Sequence, residues 1–357
     1  MAEKKRTRWQ RRPGTTGGKL PWNDWRNATT WRKATQLLLL ATNIYIAITF
    51  WYWVRYYETA SSTTFVARPG GIEGWLPIAG LMNLKYSLTT GQLPSVHAAA
   101  MLLLVAFIVI SLLLKKAFCS WLCPVGTLSE LIGDLGNKLF GRQCVLPRWL
   151  DIPLRGVKYL LLSFFLYIAL LMPAQAIHYF MLSPYSVVMD VKMLDFFRHM
   201  GTATLISVTV LLIASLFIRH AWCRYLCPYG ALMGVVSLLS PFKIRRNAES
   251  CIDCGKCAKN CPSRIPVDKL IQVRTVECTG CMTCVESCPV ASTLTFSLQK
   301  PAANKKAFAL SGWLMTLLVL GIMFAVIGYA MYAGVWQSPV PDELYRRLIP
   351  QAPMIGH

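Results

Sequence analysis

Apolar residues in this chain gather into long runs rather than into the short periodicities of a soluble core. Five runs occupy about residues 34–54, 97–114, 157–176, 203–219 and 309–332, each near the ~20 residues a helix needs to cross a bilayer. Lipid offers no partner to backbone N–H and C=O groups, so these runs are expected as helices. The first closes in Phe50, Trp51, Tyr52, Trp53, Tyr56 and Tyr57, a cluster suited to a membrane interface. The second stops at Lys115 and Lys116.

Polar residues between the runs fix a direction of crossing. Lys115, Lys116, Lys138, Arg142, Arg148, Arg155 and Lys158 separate the second run from the third, and Arg245, Arg246, Lys256, Lys305 and Lys306 separate the fourth from the fifth. Basic loops are retained on the cytoplasmic side. The stretches 55–96 and 177–202, and the tail after 333, are poorer in Lys and Arg and belong outside. An odd number of spans puts the amino terminus inside and the carboxyl terminus outside. The lead-in over 1–33 is basic and expected to be poorly ordered. Its Arg11-Arg12 pair does not make a cleaved signal, because the apolar run begins too far downstream and is too long.

A repeat of about a hundred residues underlies the pattern. Phe118-Cys119-Ser-Trp-Leu-Cys123-Pro124-Val-Gly126 and Trp222-Cys223-Arg-Tyr-Leu-Cys227-Pro228-Tyr-Gly230 are one motif, each at the inner end of an even-numbered run. Spans one and two therefore pair with three and four, giving a bundle of approximate two-fold symmetry. After the first motif, Leu128, Leu131, Ile132, Leu135 and Leu139 share one helical face, too short and polar to cross and suited to the interface.

Composition agrees with a membrane chain. Of 357 residues, 55% are apolar and 15% charged, and 37 Lys and Arg against 16 Asp and Glu leave a formal charge of +21. That excess sits in the loops and forms no continuous basic stripe, so nucleic acid is not expected as a partner. The expected fold is an all-α membrane bundle of about five transmembrane helices, internally repeated, with a small cytoplasmic α+β domain. The expected segments are a basic lead-in over 1–33, the repeat region over 34–240, a small cysteine-rich domain over 241–300, and a fifth helix with an outer tail over 301–357.

Cysteine carries the chemistry. Cys251-x2-Cys254-x2-Cys257-x3-Cys261-Pro262 is followed by Cys278-x2-Cys281-x2-Cys284-x3-Cys288-Pro289, two complete bacterial ferredoxin runs. In such runs the fourth cysteine ligates the other cluster. Cys251, Cys254, Cys257 and Cys288 are thus expected on one [4Fe-4S] cluster, and Cys278, Cys281, Cys284 and Cys261 on a second. A pair of zinc knuckles is the competing reading, but tetrahedral zinc does not explain a third evenly spaced cysteine and a terminal Cys-Pro occurring twice. Cys119, Cys123, Cys223 and Cys227 sit four residues apart in pairs, hence on one face if helical. They are candidates for further metal or redox chemistry, or for packing as small hydrophobes. Cys144 has no patterned partner and reads as an ordinary buried or interfacial thiol.

Two membrane repeats ending in C-x3-C-P-x-G, followed by paired ferredoxin motifs, resemble the NapH-type membrane polyferredoxins over roughly residues 36–300. The carboxyl-terminal half of nitrous-oxide reduction regulators is similar. Those polyferredoxins are regarded as quinol dehydrogenase subunits serving periplasmic nitrate reductase, so the resemblance implies a multi-pass bacterial inner-membrane electron carrier. It carries over the eight ferredoxin cysteines and the two C-x3-C pairs. The fifth span and a tail through Trp336, Pro339, Tyr345 and Pro350 lie beyond that pattern, the tail being either a docking segment or a solvated end.

Quinol oxidation releases protons and needs a titratable acceptor. His97, His178 and His199, with Asp190 and Asp195, are the candidates on the outer side, and their plainer role is to anchor helix ends. A His97–His199 haem pair is a weaker alternative, since it requires matching depth on facing helices. No nucleotide fingerprint or catalytic triad is present. The expected function is electron transfer between the quinone pool and a partner oxidoreductase, with lipid, quinone and a redox protein as partners. The alternative is a membrane protein that matures, reduces or regulates another oxidoreductase.

Overall fold

The computed structural model describes residues 27–59, 62–141, 144, 146–299 and 308–355. Most of the expected lead-in, with Arg142, Lys305 and Lys306, lies outside the described residues. The helices begin with α1 (Ala28–Glu58), α2 (Pro77–Thr90), α3 (Ala98–Leu114), α4 (Pro124–Phe140) and α5 (Arg148–Leu171). Then come α6 (Ala174–Met181), α7 (Pro184–Val187), α8 (Met189–Arg198), α9 (Thr202–Phe217) and α10 (Pro228–Val236). Strand β1 (Lys243–Arg246), α11 (Lys256–Lys259), α12 (Thr283–Glu286), β2 (Leu294–Ser297), α13 (Gly312–Tyr332) and α14 (Asp342–Leu348) complete the order.

Each of the five apolar runs is helical. Among the described residues α1, α5 and α13 are long and apolar enough to cross a membrane, and α8 with α9, bent by 78°, counts as a fourth if taken as one span. The second and fourth runs form helices of only 17 and 16 residues. Lys115, in the left-handed conformation at φ 61°, ends α3. Gly201 in extended backbone begins α9. The five runs thus give three to four spans by length.

Contacts divide the chain into two interleaved units: residues up to Leu39, Ile108–Glu130 and Gly230–Gly321 form the first, and Leu40–Phe107, Leu131–Tyr229 and Ile322 onward form the second. In the first unit β1 and β2 pair antiparallel, Lys243 opposite Ser297 and Arg246 opposite Leu294. Ile244, Leu294 and Phe296 are buried along this ribbon, which closes the base of the cysteine loops. Those loops rest on helix ends. Thr29 at the start of α1 donates its backbone N–H to Glu286 Oε1 at 2.7 Å. A Cβ on Gly312 would lie 2.3 Å from Ala28 Cα, so only glycine permits this approach of α13 to α1. Arg32 and Glu130 make a buried bidentate pair at 2.6 and 2.8 Å.

In the second unit the aromatic end of α1 is core. Trp53 is flanked by Phe50 at 5.5 Å and Tyr345 at 5.0 Å between ring centroids, and Val187, Val191, Leu348 and Ile349 complete the cluster. The tail is therefore not a solvated end: α14 inserts Tyr345 and Leu348, and Ser338 donates to Glu73 Oε1 at 2.7 Å. Beneath lies a buried ion network. Arg68 reaches Glu73 at 3.2 Å and Asp190 at 2.7 Å, and His97 Nδ1 stands 3.4 Å from Glu73. Two carboxylates facing Arg68 and His97 balance when the imidazole is protonated. Burial works against the Glu73 carboxylate, but His97, Arg68 and Ser338 together hold it below its usual range.

Removing one partner of a buried charge set leaves the others uncompensated. Arg68→Ala is expected to lower stability by ~3–5 kcal/mol, seen in thermal unfolding of the detergent-solubilised protein. Arg346→Ala, which removes an exposed pair with Asp342, is expected to leave the transition nearly in place. Equal behaviour of the two variants would rule out the network as a stabilising element.

Candidate iron-sulfur sites

The two ferredoxin runs fold alike. Asp253 and Gly255 flank Cys254 with φ of 51° and 65°, and Gly280 and Met282 flank Cys281 with φ of 63° and 59°. Left-handed residues on both sides of the second cysteine curl each loop, and a single helical turn, α11 or α12, then carries the third. A non-glycine residue in this region is strained. Its recurrence at Asp253 and Met282 marks a backbone shaped for what it encloses.

Two cavities result, each of about 350 Å³ with its mouth included. Cys278, Cys281, Cys284 and Cys261 line one, with Ile244, Ile265, Val267 and Val273. Cys251, Cys254, Cys257 and Cys288 line the other, with Arg246 and Asp268. Each wall thus takes three cysteines from one run and the fourth from the other.

The donor set fits a multi-iron group. Four cysteines line each wall, and thiolate is the ligand that iron-sulfur clusters take. Burial pushes the Cys278 thiol up to about 12 and that of Cys284 well above its ordinary value. A thiolate there needs a cation against it, which iron supplies. Burial also raises Cys257 and Cys261. Each set has two buried cysteines, Cys278 and Cys284 in one and Cys257 and Cys288 in the other, and of the eight Cys254 is the exposed one.

The first cysteine of each C-x3-C pair lies in a π-helical turn, Phe118–Leu122 or Trp222–Leu226, and the second caps it. The N–H of Cys123 bonds Phe118 O, and that of Cys227 bonds Trp222 O, each at 3.0 Å. The second cysteine leaves in extended backbone and a proline opens the next helix, where its missing N–H is no loss. The pairs are thus not two positions on an α-helical face. Cys119 and Cys123 belong to the first unit, Cys223 and Cys227 to the second. In the first, Ser120 Oγ donates to Thr279 O at 2.7 Å and Trp121 Nε1 to Gly280 O at 3.3 Å, so this turn braces the second cysteine loop. A Cβ on Gly126 would meet Cys119 O at 2.3 Å. In the second unit Asp151 accepts from Arg224 at 3.0 and 2.9 Å and from Tyr225 at 2.7 Å.

Cys144 is exposed, which goes against the buried half of the expectation for this thiol and leaves the interfacial half. The three histidines have separate settings. His97 is enclosed, Nε2 at 2.9 Å from Ser186 O and Nδ1 toward Glu73. His178 stacks on Tyr86 at 5.6 Å, and His199 ends α8 on the surface. Asp190 belongs to the Arg68 network, and Asp195 is 3.3 Å from Arg198. Reading the sequence for ligands missed Lys115, Glu130, Asp151 and Arg68. Charged residues at the margins of apolar runs were the signal available.

Cysteine loops, repeated turns and membrane-length helices define an iron-sulfur, ferredoxin-type protein with membrane helices. The 4Fe-4S binding domain family matches twice, over residues 96–143 and 200–247, and the 4Fe-4S dicluster family matches 243–289. The double match establishes the repeat. YccM, a candidate electron transport protein of Escherichia coli (strain K12), is 99% identical over the full length of both chains. The ferredoxin-type protein NapH of the same strain is 27% identical over 58% of this chain and 70% of its own. The regulatory protein NosR of Pseudomonas aeruginosa is 30% identical over 59% of this chain and 29% of its own. No solved structure matches. The chain belongs to the NapH-like family of electron-transport proteins.

Gly280 tests how the second loop is seated. A Cβ there would approach Leu114 O to 3.1 Å and Lys115 Cβ to 3.5 Å. Gly280→Val is expected to lower both iron per protein and melting temperature. Gly255→Ala, at the same kind of φ but with nothing within 4 Å, carries only the backbone strain of roughly 1–2 kcal/mol and should keep its iron. Full iron in Gly280→Val would show that this contact does not hold the loop.

Proposed function

We propose that the chain carries electrons between the membrane quinone pool and a partner oxidoreductase, using two [4Fe-4S] clusters. Cys251, Cys254, Cys257 and Cys288 would hold one and Cys278, Cys281, Cys284 and Cys261 the other. The crossed composition of the two cavity walls is the observation that carries this reading. When bound, such clusters supply one-electron transfer at a potential set by charge, hydrogen bonding and solvent exposure.

The chain's own residues do the rest. Ile244, Ile265, Val267 and Val273 keep water from the second site. Ser263 Oγ donates to Glu277 O at 2.8 Å, tying the Cys261 turn to the run that contains Cys278. The basic loops support a cytoplasmic sulfur domain and amino terminus, with the tail in the periplasm of a bacterial inner membrane. The half-buried ring of His178 and the exposed ring of His199 are the acceptors best placed to take protons released from a quinol. His97, fixed by Ser186 and Glu73, has a structural role. The C-x3-C pairs fall in regions matched by an iron-sulfur family, which supports a metal or redox role for Cys119, Cys123, Cys223 and Cys227.

The protein purified without oxygen is expected to show broad visible absorption and, after dithionite, two low-temperature paramagnetic signals. Cys251→Ser and Cys278→Ser should each remove a different one. Menadiol should bleach the visible band in the wild type, and a quinone-site inhibitor should block it. Zinc in place of iron overturns the cofactor assignment. Dithionite-reducible clusters that no quinol reduces would overturn the quinone link alone.

A further inference from the structure

Lys115 separates α3 from the turn that leads to Cys119, and its side chain is 0% exposed. Its backbone N–H donates to Ser240 Oγ at 3.0 Å, and its Cβ is 3.5 Å from where a Cβ on Gly280 would sit. Gly280 lies between Cys278 and Cys281. Among the described residues the Lys115 Nζ has no hydrogen-bond partner. A desolvated ammonium without a partner is a costly group to bury. Burial pulls the Lys115 ammonium below its ordinary range, the Cys278 sulfur lies within electrostatic reach and works the other way, and Lys243 adds positive charge nearby. Arg32 also feels Cys281, but Glu130 holds its guanidinium bidentately.

The other cavity is balanced differently. Arg246 lines it together with Asp268, and Asp253 stands 3.7 Å from Arg246. Cys254 there is exposed, so water screens whatever charge the site carries. One site thus has a buried, unmatched cation beside its sulfurs, and the other has a cation offset by carboxylates and solvent.

We propose that the Lys115 ammonium is the fixed counter-charge of the cluster held by Cys261, Cys278, Cys281 and Cys284, raising its reduction potential above that of the other cluster. This rests on the ligand sets proposed above. Four thiolates leave a ligated cluster negative, and an added electron makes it more so. A positive charge in a low-dielectric site favours the electron-rich form. Electrons entering the pair would settle at the site packed on the end of α3, and Lys115 would act on the cluster through its field.

The test is a redox titration of the full-length, detergent-solubilised protein under anaerobic conditions, with dithionite as reductant and paramagnetic resonance as readout. Lys115→Met is expected to lower one midpoint by at least a tenfold change in the one-electron equilibrium, about 59 mV. The other midpoint should stay in place, and Lys115→Arg should restore most of the shift. Unmoved midpoints in an iron-replete Lys115→Met protein overturn the proposal, as does an equal shift of both. If the Met variant lacks the cluster, Lys115→Gln replaces it. Loss of iron from both, with retention in Lys115→Arg, overturns the tuning role by making the charge a requirement for assembly. A wild type without cluster signals would instead overturn the ligand sets themselves.

Discussion

Sulfur buried away from water is the constraint on which the first unit depends. A thiolate in an apolar wall is unfavourable unless positive charge meets it, and burial at Cys278 and Cys284 opposes ionisation strongly. The fold is arranged to make that burial possible. Left-handed residues around Cys254 and Cys281 turn the chain tightly enough for three sulfurs to face inward. The β1–β2 ribbon holds together the two ends of the segment that carries them. Each run then lends its last cysteine to the other's wall, so neither loop forms its site alone.

The same logic governs charge elsewhere. Isolated ions are costly in an apolar protein interior, and apart from Lys115 the buried charges described above come in sets. Arg32 with Glu130, Arg224 with Asp151, and Arg68 with Glu73 and Asp190 each join segments far apart in the chain. Such sets contribute little net stability compared with apolar packing, yet losing one member is severe. The two π-turns show the consequence for the repeat. Their backbones are the same, but the first is braced through Ser120 and Trp121 on the second cysteine loop, and the second through Arg224 and Tyr225 on Asp151. A duplicated element has been given unrelated supports.

The apolar runs and cysteine spacings were legible because each follows from one local rule. Runs near ~20 residues announce helices, and a spacing of two, two and three announces a ferredoxin loop. The number of spans was less legible. The second and fourth helices follow their apolar runs to within two residues, but at 17 and 16 residues neither reaches by itself the ~20 that crossing requires. The C-x3-C segment read as one face of a helix because the pattern cannot distinguish a π-turn from an α-turn. The ion networks were hidden for another reason. Glu73, Asp190 and Ser338 are more than a hundred residues apart, and no local pattern connects them. His97 illustrates this: a histidine at a helix start reads as an open base until Ser186 and Glu73 are seen on its ring.

The docking of α14 bears on biogenesis. Tyr345 packs edge-on against Trp53, and Ser338 donates to Glu73, yet both follow α1, α5 and α13 in the chain. A nascent chain inserted up to α13 would still display an unfilled aromatic pocket and an incompletely solvated carboxylate. Surveillance proteases that recognise such surfaces would treat it as unfinished. Packing of the second unit therefore waits on a segment made after α13.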